Sequence, residues 1–98
     1  MKKEQIYVTG ATLPFFRYEK NGITYYEFDS SESELPVPMV NALRGLELLK
    51  DRNERLKMIN MQEPTGLYPS IAERFSWSTE VLEDGNVSIL FCIRKQDM

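Results

Sequence analysis

The 98-residue chain contains no histidine and one cysteine, Cys92. By itself it therefore cannot supply a His/Cys zinc site, a Ser-His-Asp or Cys-His catalytic set, a histidine-ligated haem or an internal disulfide. It has no glycine-rich phosphate loop, and Asp84-Gly85-Asn86 is too short for a calcium loop. Long apolar runs are also missing. The longest, Ile89 to Ile93, falls far below the roughly 20 residues of a membrane helix, and Ile6-Tyr7-Val8 is too short for the apolar part of an export signal. These absences predict a soluble, cytoplasmic protein with no metal, no cofactor and no membrane partner.

Cations are also few, and the net charge of -3 gives no general attraction to nucleic acid. The basic cluster Lys50, Arg52, Arg55 and Lys57 is interrupted by Asp51 and Glu54, so it reads as a solvated helix end and turn. The carboxylates Glu63, Glu73, Glu80, Glu83 and Asp84 are scattered, with no positioned partner for acid/base work. The sequence leans away from an enzyme.

What is present is an ordinary globular composition, 42% hydrophobic and 28% charged, enough for one compact domain. Phe15 to Lys20 and Ile23 to Phe28 flank Asn21-Gly22, the pair that best tolerates the positive φ angles of a type I′ turn. This predicts a hairpin with Lys20 opposite Ile23, Tyr18 opposite Tyr25 and Arg17 opposite Tyr26, burying Phe15, Tyr26 and Phe28 on one face. Ile6-Tyr7-Val8 is a candidate short strand. Its aromatics invite a base-stacking role, but the hairpin is nearly neutral, and core and cross-strand packing is the preferred reading.

The acidic loop from Asp29 to Glu34 leads into Leu35-Pro36-Val37-Pro38, and a helix is expected to start at Pro38, where a missing N–H costs nothing. Met39, Ala42, Leu43, Leu46 and Leu49 form its apolar stripe, with Gly45 inside it for close packing. Residues 55 to 61 alternate as a central strand. Leu67, Tyr68, Ile71, Ala72 and Phe75 recur at helical spacing and predict a short second helix, with Pro69 in its first turn and Thr65 as a candidate cap. Trp77, Thr79 and Val81, then Val87, Ile89, Phe91 and Ile93, make a closing antiparallel hairpin around Glu83-Asp84-Gly85-Asn86. The expected fold is α+β, a two-layer sandwich of one mixed four-to-five-stranded sheet with two helices on one face. It is a β-α-β-α-β-β core plus an N-terminal hairpin strand.

Several of these residues look familiar in combination. The β-loop-helix from Asp29, the Pro36-Val37-Pro38 helix start and the β-α-β-β continuation resemble the small SirA/TusA-like sulfur carriers. The likeness covers about residues 23 to 95, so residues 1-22 read as an N-terminal extension with the first hairpin strand and 23-98 as the SirA/TusA-like part of a single compact domain. That family carries Cys-Pro-x-Pro, whose cysteine accepts a persulfide sulfur; here the thiol position is Leu35. A leucine cannot ionise or bond sulfur, and the thiolate is what a helix N-terminus would stabilise. The chain resembles more closely an uncharacterised branch lacking that cysteine but keeping Pro-x-Pro-Met and a later Glu-Pro…Leu-Tyr, here Pro36-Val37-Pro38-Met39, Glu63-Pro64 and Leu67-Tyr68.

The resemblance implies a non-catalytic, protein-binding or regulatory module linked to sulfur, redox or respiratory metabolism, with an unidentified protein partner. Leu35, Pro36, Pro38, Met39 and Tyr68 are its candidate contacts. Two roles stay open for Leu35 and Met39: partner contact, or core packing with the prolines only shaping the turn. The alternative function is a sulfur carrier using Cys92, against a plain packing role for that thiol in the sheet. Leu90 and Cys92 on the outer sheet face would also suit a homodimer if neighbouring strands add apolar residues there.

Overall fold

The computed structural model describes residues 2–95. The elements are β1 (Glu4–Ile6), β2 (Phe15–Lys20), β3 (Ile23–Asp29), α1 (Val37–Leu46), β4 (Glu54–Asn60), α2 (Tyr68–Ile71), β5 (Phe75–Val81) and β6 (Val87–Ile93). The protein is α+β, with one mixed sheet and two helices. The six strands run in the order β1-β2-β3-β4-β6-β5, two more than the smaller strand number expected from sequence. Only β3 and β4 pair in parallel; the other neighbours are antiparallel.

The Asn21-Gly22 turn forms with φ of 54° and 79°, and the strand register is the one read from the sequence: Lys20 with Ile23, Tyr18 with Tyr25, Arg17 with Tyr26. The Phe15 and Phe28 rings stack at 4.9 Å beneath the sheet, and both are almost fully buried. β4 is central, between β3 and β6, and turns Leu56 and Met58 into the core. The core cluster joins Ala42 and Leu46 of α1 with Leu67 and Ile71 at α2, together with Ile89 and Phe91 of β6. Apolar burial of this kind, at about 25 cal/mol per Å², is the main force holding a domain of this size.

Four local expectations are corrected. The first strand lies at Glu4–Ile6, leaving Tyr7 exposed while Val8 enters the core from the following turn. The second helix is short, as expected, with Pro69 in its first turn, but it ends at Ile71 and does not extend to Phe75. Thr65 does not cap it; the N-cap position is Leu67, with no side-chain bond. The buried side of α1 is rotated: Asn41, Ala42, Gly45 and Leu46 face inward, while Leu43 is exposed. The reason is twofold. Gly45 lets the helix approach so closely that a Cβ there would lie 2.7 Å from Leu56 Cδ1 and 2.9 Å from Phe15 Cε2. Asn41, fully buried, holds the segment before β2: its Oδ1 accepts the Thr12 and Leu13 N–H groups at 2.9 and 3.1 Å, and its Nδ2 donates to Thr12 Oγ1 and the Val37 carbonyl. A buried side-chain amide with all its bonds made is structural.

Candidate functional site

The two parallel strands end together. At that end β3 runs into the acidic loop before α1, and β4 runs into the loop before α2. Ser30, at the start of the first loop, is fully buried. Its hydroxyl donates to the Asn60 Oδ1 at 2.8 Å and stands 3.0 Å from the Ile59 carbonyl, while Asn60 Nδ2 donates to the Gln62 carbonyl. The pair locks both loop origins to the sheet. Asn60 had a sequence signal, since it continues the inward alternation of Leu56 and Met58 with a polar group; Ser30 had none, being one of several polar residues in a polar loop.

From this anchor the chain climbs through Asp29, Glu32 and Glu34, all exposed, to a cis Leu35-Pro36 bond and then α1. Leu35 stands 75% exposed and Pro36 is exposed beside it, while Pro38 is buried and Met39 half-buried against the core. The candidate contacts therefore divide. Leu35 and Pro36 are presented outward, and Pro38 and Met39 form their footing. Met39 reaches towards the second loop, its Cε lying 3.9 Å from where a Gly66 side chain would begin. No side-chain cap and no acid occupy the first turn of α1.

Tyr68 sits half-buried on the other side of that loop. Its ring stacks on Trp77 at 4.1 Å, and its hydroxyl donates to Glu63 at 3.0 Å. Burial, reinforced by the Glu63 carboxylate, pushes the Tyr68 hydroxyl well above the ordinary tyrosine range. Tyr18 is raised for the same reasons, by burial and then by Glu27, and Tyr26 by burial and Glu54. The folded protein keeps these protons past the pH, about 10, at which the unfolded chain releases them. Stability is then full below about pH 10 and declines as the pH climbs through the folded values. In a 295 nm titration the tyrosinate of Tyr18, Tyr26 and Tyr68 should appear late and together with loss of structure; ionisation of these three in the folded protein would contradict this.

Cys92 lies half-buried on the open face of the sheet, its Sγ 3.2 Å from Ser76 Oγ. Arg94, the cation nearest in sequence, donates instead to the Ala72 carbonyl at 2.7 Å. Leu90, its companion on that face, pairs across the sheet with Lys57 and Ser78, so its direct neighbours are charged or hydroxylic. The continuous apolar patch on which an outer-face dimer depends is interrupted there.

Among the described residues, no group of three or more His, Cys, Asp or Glu side chains is placed to hold a metal ion. No helix among the described residues is long and apolar enough to cross a membrane. Comparison with protein-family models, with characterised proteins and with solved structures finds no match.

Proposed function

We propose that this chain is a non-catalytic protein-binding module with a two-layer fold of the sulfur-carrier type. In this reading Leu35 and Pro36 make the primary contact, and the pathway is the sulfur, redox or respiratory metabolism that the resemblance suggests. The observation that carries it is Leu35: a large apolar side chain, 75% exposed, on a proline-restricted turn ahead of a helix. A leucine so placed contributes nothing to the core, and a turn already ordered loses little entropy when a partner covers it. A groove of about 350 Å³ between α1 and α2 is lined by Val40, Leu43, Ile71 and Phe75, with Arg44, Glu47 and Arg74 in its walls. It offers apolar surface next to the Arg44–Glu47 ion pair and Arg74. The exposed acids Asp29, Glu32 and Glu34 on the approach to Leu35 favour a partner with cations at the matching positions.

Affinity capture from an extract of the source cell, comparing wild type with Leu35→Asp, tests the reading. Because Leu35 is exposed, the variant should fold normally, and recovery of the specific partner should fall about tenfold or more. Equal recovery from a correctly folded variant sinks it. A carrier using Cys92 makes the opposite demand: after incubation with a cysteine desulfurase, the intact mass should rise by one sulfur atom and the gain should vanish in Cys92→Ser. The proposal expects no such gain.

A further inference from the structure

The two edges of the sheet are unlike. β1 is three residues long and stands next to Lys2 and Lys3, so shortness and charge both protect it from pairing with another strand. β5 is seven residues long, pairs with β6 residue for residue from Phe75 with Ile93 to Val81 with Val87, and among the described residues has no strand on its other side. Its sequence, Phe75-Ser76-Trp77-Ser78-Thr79-Glu80-Val81, contains no lysine, arginine or proline. Ser76, Ser78, Thr79, Glu80 and Val81 are all exposed, Val81 at 76%. Apart from the one charge of Glu80, such an edge presents a row of backbone donors and acceptors without the lysines, prolines or bulges that normally discourage pairing.

We infer that β5 is the contact by which a second copy of this chain binds, pairing antiparallel with its own β5 about a two-fold axis perpendicular to the sheet. Strand length selects the register, and charge agrees with it. An antiparallel two-fold pair must place one residue opposite its own copy, because only then do facing side chains share a face. Centring on Glu80 would oppose two carboxylates. Centring on Ser78 uses all seven residues and sets Ser76 against Glu80, Trp77 against Thr79 and Phe75 against Val81. It opposes no like charges and covers the exposed valine with an aromatic neighbour. The contact is closed: the same edge is used by both copies, and the three-residue β1 cannot serve as the acceptor in an open-ended array. The product is one continuous twelve-stranded sheet with the Leu35 turns left free.

Ser78 on the axis gives a direct test. Sedimentation equilibrium of the whole chain should show a reversible dimer in the wild type. Ser78→Lys and Ser78→Glu, each placing like charges face to face on the axis, should weaken it by on the order of tenfold or more. An equimolar mixture of the two variants should restore dimers, because the axis then brings a lysine to a glutamate. Leu90→Glu, on the open face, should leave the dimer intact. Circular dichroism and thermal melts confirm that each variant is folded; a β5 substitution that does not fold is replaced by Thr79→Lys, which acts on the same edge. A wild type that stays monomeric to millimolar concentration overturns the inference. So do a dimer indifferent to both Ser78 variants, a mixture that fails to reassociate, and a dimer dissolved by Leu90→Glu.

Discussion

Replacing Asn41 with alanine is expected to destabilise the protein by about 2–4 kcal/mol, a substantial part of the 5–15 kcal/mol typical of a whole domain. The side chain closes four hydrogen bonds, and three of its partners are main-chain groups: the N–H of Thr12 and Leu13 and the carbonyl of Val37. Alanine removes the acceptor of the Thr12 and Leu13 N–H groups, while the Val37 carbonyl keeps its helical bond, and opens a void beside Ala42, which is itself fully buried. For a chain of this length the melting temperature should drop by roughly 10 to 25 °C. Asn41→Asp distinguishes the bonds from the volume. It keeps the acceptor for Thr12 and Leu13 but loses the donors and buries a charge, so it should be at least as harmful at neutral pH. Part of the loss should return on acidification, when the carboxyl regains one donor. A change in Asn41→Ala of less than about 0.5 kcal/mol, the level of an ordinary surface substitution, would mean that the segment before β2 is not fastened by this residue.

The second large effect is expected at Gly45. A Cβ added there meets Leu56 and Phe15 at 2.7 to 2.9 Å, well inside contact distance, and both neighbours are themselves almost fully buried. Gly45→Val should therefore cost about 2–4 kcal/mol, since overpacking outweighs the roughly 0.3 kcal/mol that valine gains over glycine in a helix. Gly45→Ala, with one carbon to place, should cost less. The cause can be isolated by shortening the residue it strikes. In a Leu56→Val background the alanine should be better tolerated, with a coupling of about 0.5–2 kcal/mol in a double-mutant cycle followed by urea unfolding. Strict additivity would locate the strain elsewhere.

The parts of this fold legible in the sequence were those fixed by short-range chemistry. Asn21-Gly22 set the turn, and counting outward from it gave the register of β2 and β3. The alternation of Leu56, Met58 and Asn60 gave a central strand, and Val87, Ile89, Phe91 and Ile93 gave a strand with an inward face. The misreadings arose where one side chain overruled periodicity. Asn41 is polar, and a hydropathy stripe passes over it; yet with every bond satisfied it occupies the inner side of α1 and sends Leu43 outward. The helical spacing runs on to Phe75, although α2 ends at Ile71 and Phe75 is the first residue of β5, where it pairs with Ile93. At the candidate site, prolines and an acidic approach were visible in the sequence, but local spacing could not separate the exposed pair, Leu35 and Pro36, from the packed pair, Pro38 and Met39. That division depends on where the ends of β3 and β4 sit, and their joint anchor, Ser30 with Asn60, is thirty residues apart in sequence.

The position of β6 between β4 and β5 sets the order in which this protein can be assembled on the ribosome. Until Ile93 has been added and has cleared the exit tunnel, β4 lacks one of its two neighbours and β5 lacks the one neighbour it has among the described residues. The early hairpin of β2 and β3 can form while synthesis continues, but closure of the sheet waits for the last strand. A nascent polypeptide stalled before Val87 should thus remain protease-sensitive from β4 onward, and acquire resistance in a single late step.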